Sequence, residues 1–169
     1  NIPFLDDFLS PIALNIGIPT EYVGILSFFL LGCATLGQRF AYKFTHLSDT
    51  VLYWLIAAVG AGDVAFSLIY TTGALWIMGV SYMVLWGLFT LLYSRFQDMT
   101  PTASRSIVLS LYTTLTYLVY MAVCGVIGLG SMLGSWRYSI MILGILELCV
   151  FAWAMLILRR SCTTHGKEL

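Results

Sequence analysis

Charge is what this sequence lacks most. Only 9% of its 169 residues are Asp, Glu, Lys or Arg, where a soluble domain carries about a quarter. The eight basic and eight acidic residues cancel. No basic surplus exists for nucleic acid, so no nucleic-acid partner is expected. Histidine is almost missing: His46 and His165 both fall outside the apolar runs, so no metal constellation forms and no cofactor is implied. The four cysteines, Cys33, Cys124, Cys149 and Cys162, show no CxxC spacing. The first three lie in apolar runs, where a thiol is a small packing residue. Cys162 stands near the end of the last run, a candidate for acylation. No paired His, His-Glu motif, Ser/His pair or Cys/His pair lies within an apolar run, so an enzyme is not expected. Proline is rare after residue 19, with only Pro101 beyond it.

Apolar residues fill the space that charge leaves. They make up 60% of the chain, and the mean hydropathy is +0.92. A hydrocarbon core about 30 Å thick takes roughly 20 apolar residues as a helix. Five runs meet that length, over 20–43, 50–70, 74–96, 104–129 and 136–160. They are continuously apolar rather than alternating, which excludes a transmembrane barrel. The expected fold is an all-α integral membrane protein of about five transmembrane helices, a membrane domain over 20–160. Residues 1–19, with Asp6, Asp7 and three prolines, are not a span. They form an outer segment, either a short interfacial turn through Phe4, Leu5, Phe8, Leu9 and Ile12 or the end of a preceding transmembrane helix. Residues 161–169 form a polar tail. The chain opens on Asn1 rather than Met, so a fragment or processed product is expected.

Sidedness follows from the basic residues. With five spans, Arg39, Lys43, Arg95, Arg105, Arg159, Arg160 and Lys167 fall on one side and Arg137 alone on the other. By the positive-inside rule the C-terminus is cytoplasmic, in a plasma or bacterial inner membrane. Arg137, beside Trp136 and Tyr138, has the make-up of an interface anchor. Small residues mark expected helix contacts: Gly24, Gly32 and Gly37 in the first span, and the stripe Ala57, Ala61 and Ala65 in the second.

The stretch Arg95–Gly125 is of a different character. Pro101 ends what precedes it, and Thr102 or Ser104 is placed to cap a new helix. That helix is apolar but carries Ser110, Tyr112, Thr113, Thr114, Thr116, Tyr117, Tyr120 and Cys124. Lipid alone does not select so many hydroxyls. Ser110, Thr113 or Thr114, Tyr117, Tyr120 and Cys124 recur at spacings of three and four, on one broad face. They are candidates to line a path for a solute. The alternative is that Ser and Thr bond back to their own helix's carbonyls. In the third span, Tyr82 and Trp86 are the path candidates, the remaining aromatics serving packing and the interface. Asp63 and Glu147 are the two ionisable groups within spans, where a charge is costly. They are candidate proton-coupling groups, against a plain packing role bonded to a neighbouring hydroxyl. Arg105 opens the fourth span as a snorkelling anchor.

Three motifs carry a family resemblance. IPTEYVG over 18–24 is followed by a glycine-dotted span ending in the basic loop GQRFAYK over 37–43. PTASRSIVLSL over 101–111 opens the hydroxyl-rich helix. Gly125 and Gly128 precede the turn GSWR over 134–137. Together they resemble helices eight to twelve of a major facilitator superfamily transporter, its C-terminal half, over residues 18–160. Ala41 stands where the family's inner-loop motif often has an acid. The resemblance implies a partial six-helix bundle and a secondary transporter half moving a small-molecule substrate by alternating access. It implies a missing N-terminal half or partner chain, and a hydroxyl-rich eleventh helix beside the central path. It also implies inner-gate roles for Arg39, Lys43 and Arg105, and peripheral positions for the helices of Asp63 and Glu147. The alternative is a non-transporting membrane subunit or assembly factor that docks through helix 104–129.

Overall fold

The structure is a computed structural model that describes residues 8–102, 105–132 and 134–165, with side chains described as far as Leu156. Expectations placed on Phe4, Leu5, Ser104, Arg159, Arg160, Cys162 and Lys167 lie outside these. The described residues are helical, without strands, and five helices are long and apolar enough to cross a membrane. The α-helices of the described residues are, in order, α1 (Leu9–Ile16), α2 (Thr20–Ala41), α3 (Asp49–Ile69), α4 (Leu75–Met99), α5 (Arg105–Met132) and α6 (Trp136–His165), of which α2 to α6 are the five long ones.

The five expected spans appear within a few residues of their expected limits, with instructive exceptions. Pro19 occupies the cap of α2, and Thr20 is its first helical residue. Proline has no N–H to satisfy there, and its φ suits a helix start. Helix α5 does not stop before Gly130 but runs on to Met132. Gly130 is held in the helix because Ser139 of α6 packs there, 2.9 Å from where a Cβ would sit. Helix α6 reaches His165, so the polar tail expected from residue 161 begins as helix; neither Gly nor Pro occurs between Arg160 and His165 to end it.

The outer segment contains a helix of only 8 residues, α1, about 12 Å long and too short to span. Gly17 closes it at φ 92°, its N–H bonding back to the Ala13 and Leu14 carbonyls. Leu9, Ile12 and Ala13 are buried. They join Leu26 and Leu30 of α2, Phe66 of α3, Met78 and Tyr82 of α4 and Ile140 of α6 in one cluster. Helix α1 thus plugs the end of the bundle where these helices converge. Tyr70 secures it: its phenol donates to Asn15 Oδ1 at 2.9 Å, and partial burial pushes that phenol's pKa up, which keeps it a donor. A second cluster, with Leu52, Val59, Leu88 and Leu91, fills the opposite end.

Between the ends, glycines set the packing. Helix α4 lies against α2 and α3, α3 against α6, and α6 against α5. At the α2–α4 crossing a Cβ on Gly37 would overlap the Met83 carbonyl, and one on Gly87 would be 3.1 Å from the Gly37 oxygen. The backbones themselves are in contact. The α3–α6 seam is built the same way: a Cβ on Gly144 would be 2.7 Å from the Gly60 oxygen. The expected stripe of Ala57, Ala61 and Ala65 is not that seam, since Ala61 is exposed. Gly60 and Val64 face α6 instead, because Gly60 admits a closer approach than any alanine. Of the first span's glycines only Gly37 makes a close approach; Gly24 and Gly32 are open.

Two arginines tie opposite ends. Arg95 of α4 pairs with Asp49 at the start of α3 and donates to the Thr45 and Leu47 carbonyls of the α2–α3 loop. Arg137 of α6 donates to the Leu68 carbonyl at the end of α3, at 3.0 Å, satisfying a carbonyl that the last turn leaves without a helical partner.

Candidate functional site

Helix α5 is the least embedded of the five. None of the most apolar window of its span is buried. Its firm attachment is at the C-terminal end, where Ile127 and Gly130 are buried against α6 and the Ser139 hydroxyl donates to the Ile127 carbonyl at 2.9 Å. Towards its N-terminus it meets α4 through aromatic rings. Tyr112 lies 5.8 Å from Tyr93 and 5.0 Å from Phe96 between ring centroids.

Between these attachments α2, α4 and α5 leave a cleft of roughly 400 Å³. Its α4 wall is the stripe Trp86, Phe89, Thr90 and Tyr93, and its α5 wall is Tyr112, Thr113, Thr116 and Tyr117. Both sets recur at three- and four-residue spacing, so each is one face of a helix. Gln38 of α2 closes the third side. The aromatics support one another: Trp86 and Phe89 stand edge to face at 6.0 Å, and Phe89 and Tyr93 are stacked at 6.3 Å.

Hydroxyl chemistry divides the lining. Thr90 donates to the Trp86 carbonyl and Thr113 to the Leu109 carbonyl, both at 2.9 Å. Their protons are used internally, as the bond-back alternative required, and their lone pairs remain. Among the described residues, the side chains of Gln38, Thr116 and Tyr117 make no hydrogen bond and are free to donate to a guest. The lining carries no carboxylate or ammonium. It offers aromatic faces, amide and hydroxyl donors and acceptors, and no nucleophile paired with a base.

The sequence candidates are divided by this cleft. Trp86, Thr113 and Tyr117 line it. Ser110 and Thr114 are exposed outside the lining, and Thr114 donates to the Ser110 carbonyl at 3.0 Å. Tyr120 is half-buried and also outside the lining. Tyr82 is 1% exposed and belongs to the core plugged by α1. Gln38, Phe89, Thr90, Tyr93, Tyr112 and Thr116 were not singled out as path residues. The spacing of four and then three residues from Trp86 to Thr90 to Tyr93 was the available signal on α4. For Gln38 there was none, because its position depends on the Gly37 crossing.

Asp63 and Glu147 are brought together. Each stands three residues after a glycine of the α3–α6 seam, Gly60 and Gly144. Both line one cavity of roughly 290 Å³, whose other lining residues are apolar. Asp63 is 4% exposed and within hydrogen-bonding reach of Ser81. Glu147 Oε2 is buried and has no hydrogen-bond partner.

The inner-loop candidates are more loosely held. Arg39 and Arg105 are exposed, and Lys43 stands 5.5 Å above the Phe40 ring, a cation–π contact. The residue that organises that end is Arg95, counted only for sidedness in the sequence; its ion pair spans 46 positions. Among the described residues no group of three metal-ligating side chains occurs. The chain matches no family model, no curated protein and no solved structure.

Proposed function

We propose that this chain is one half of a membrane transporter, in which the α2–α4–α5 cleft forms one wall of a path for a small, polar, uncharged solute. One observation carries the reading. The span that is richest in hydroxyls is also the least embedded, and it turns its Thr116 and Tyr117 towards an aromatic stripe rather than into the bundle core. A lipid-facing helix gains nothing from such residues, whereas a solute that gives up water gains replacement hydrogen bonds and a stacking face. Five spans do not enclose a path alone, so a second bundle completes it. The major-facilitator plan is the specific form of this reading: α2 to α6 stand for helices eight to twelve, and the second bundle for the N-terminal half. The C-terminus is then cytoplasmic, as the distribution of basic residues favours.

A second reading has its own observation. Gly125 and Gly128 on α5 have nothing within 4 Å of an added Cβ, a bare surface suited to close approach by a helix of another subunit. In that case the chain is a non-transporting subunit that docks through α5.

Single cysteines distinguish the two. In a background without Cys33, Cys124, Cys149 and Cys162, Thr116→Cys and Tyr117→Cys are placed in the cleft, with Leu111→Cys on the exposed apolar side as control. Under the transport reading a charged, membrane-impermeant thiol reagent labels the cleft positions and not Leu111→Cys. Absence of labelling at both cleft positions in the assembled protein removes the path.

A further inference from the structure

The α3–α6 seam holds a feature that the cleft does not use. Two acids from different helices share an apolar cavity inside the membrane-spanning region. The groups facing them are Leu85, Leu88 and Phe89 of α4 and Val123 of α5. Asp63 on α3 and Glu147 on α6 are the two titratable groups in the lining, and no basic residue accompanies them. A Cβ on Gly60, one turn before Asp63, would stand 3.0 Å from the Glu147 Cβ, so the seam sets the two acids side by side. Two anions in such a cavity repel with little screening, and each has also lost its hydration. A pair so placed keeps at least one proton.

Their surroundings differ in a way that assigns it. Asp63 has the Ser81 hydroxyl as a hydrogen-bonding partner. Glu147 Oε2 is buried and receives no hydrogen bond. A carboxylate oxygen in that position is unsolvated on every side, whereas a carboxylic acid is tolerated.

We propose that Asp63 and Glu147 form a proton-binding site inside the α3–α6 seam, with the proton on Glu147 and Asp63, supported by Ser81, as its partner. The site rests on the seam's geometry and is independent of the transport reading. A proton is favoured over a metal cation because a hard divalent ion takes six to eight oxygens, more than two carboxyls and one hydroxyl supply.

Infrared spectroscopy of the full chain in lipid bilayers tests this directly. At near-neutral pH the wild type is expected to show a carboxylic-acid C=O stretch, distinct from the bands of ionised carboxylates. That band is lost in Glu147→Gln and kept in Asp63→Asn. Side-chain ¹³C labelling of glutamate in the wild type gives the same information without a substitution: the band moves to lower frequency. Absence of the band overturns the site. A band that survives Glu147→Gln, or does not move with labelled glutamate, overturns the assignment to Glu147. A band abolished by sodium or calcium at constant pH shows a cation site instead and also overturns the proposal.

Discussion

Replacing Gly37 by alanine adds one carbon at the tightest point of the bundle. That carbon would overlap the Met83 carbonyl oxygen and stand 2.9 Å from its carbon and 3.2 Å from the Gly87 nitrogen. All three are backbone atoms of α4, so no side chain can rotate out of the way, and α2 and α4 must separate. Overpacking costs about 1–3 kcal/mol, and a clash with backbone belongs at the upper end. Alanine is the better helix former by about 1 kcal/mol, which leaves a net loss of about 2 kcal/mol. Gly32 lies on the same helix with nothing within 4 Å of an added Cβ. Gly32→Ala therefore keeps only the favourable contribution, up to about 1 kcal/mol. The two variants should differ by about 3 kcal/mol, roughly a hundredfold in the folded-to-unfolded ratio. Equilibrium unfolding in mixed micelles, titrated with denaturing detergent and followed by far-UV circular dichroism, measures both. If Gly37→Ala is as stable as Gly32→Ala, the backbone contact at the α2–α4 crossing is refuted.

Two further substitutions probe the ties between helices. Arg95→Ala removes an ion pair and leaves the Thr45 and Leu47 carbonyls without their donor. A loss of about 2 kcal/mol is expected in the same unfolding assay, against under about 1 kcal/mol for Asp49→Asn, whose side chain is 71% exposed. Equal losses would show that the carbonyl contacts contribute nothing. Ser139→Ala removes the donor to the Ile127 carbonyl, and about 0.6–1 kcal/mol is expected from hydrogen bonds between membrane helices. Hydrogen exchange should quicken at the Ile127 end of α5 and stay unchanged in α3; uniform change across both helices would contradict a local tie.

Much of the architecture was legible because the bilayer imposes a length. The runs 50–70 and 74–96 reappear as α3 and α4 with small shifts, since about 20 apolar residues have one way to satisfy their backbone in hydrocarbon. Which helices touch was not legible. Ala57, Ala61 and Ala65 and the neighbouring Gly60 all present small surfaces, and nothing local says which one meets α6. The pairing of Asp63 with Glu147 follows from that choice, across 84 positions between two seam glycines at 60 and 144, so it stayed hidden as well. On α5 the hydroxyls were visible, but their division was not. Thr113 and Thr116 are of the same type, and only the cleft distinguishes one that bonds back to its helix from one that does not. Arg95 was counted as one more basic residue because its partners, Asp49 at the start of α3 and two carbonyls of the α2–α3 loop, lie 46 to 50 positions away.

The one-sided attachment of α5 gives it the mechanics of a lever. Its fulcrum is at Gly130, wedged against Ser139, while Tyr112 at the far end rests on rings that slide over one another more readily than interlocked backbones part. The distance between the two is about 27 Å at 1.5 Å per residue. A tilt of about 5° about the fulcrum then displaces the Tyr112 end by roughly 2 Å, enough to widen or pinch the gap against the aromatic stripe while the other four long helices stand still.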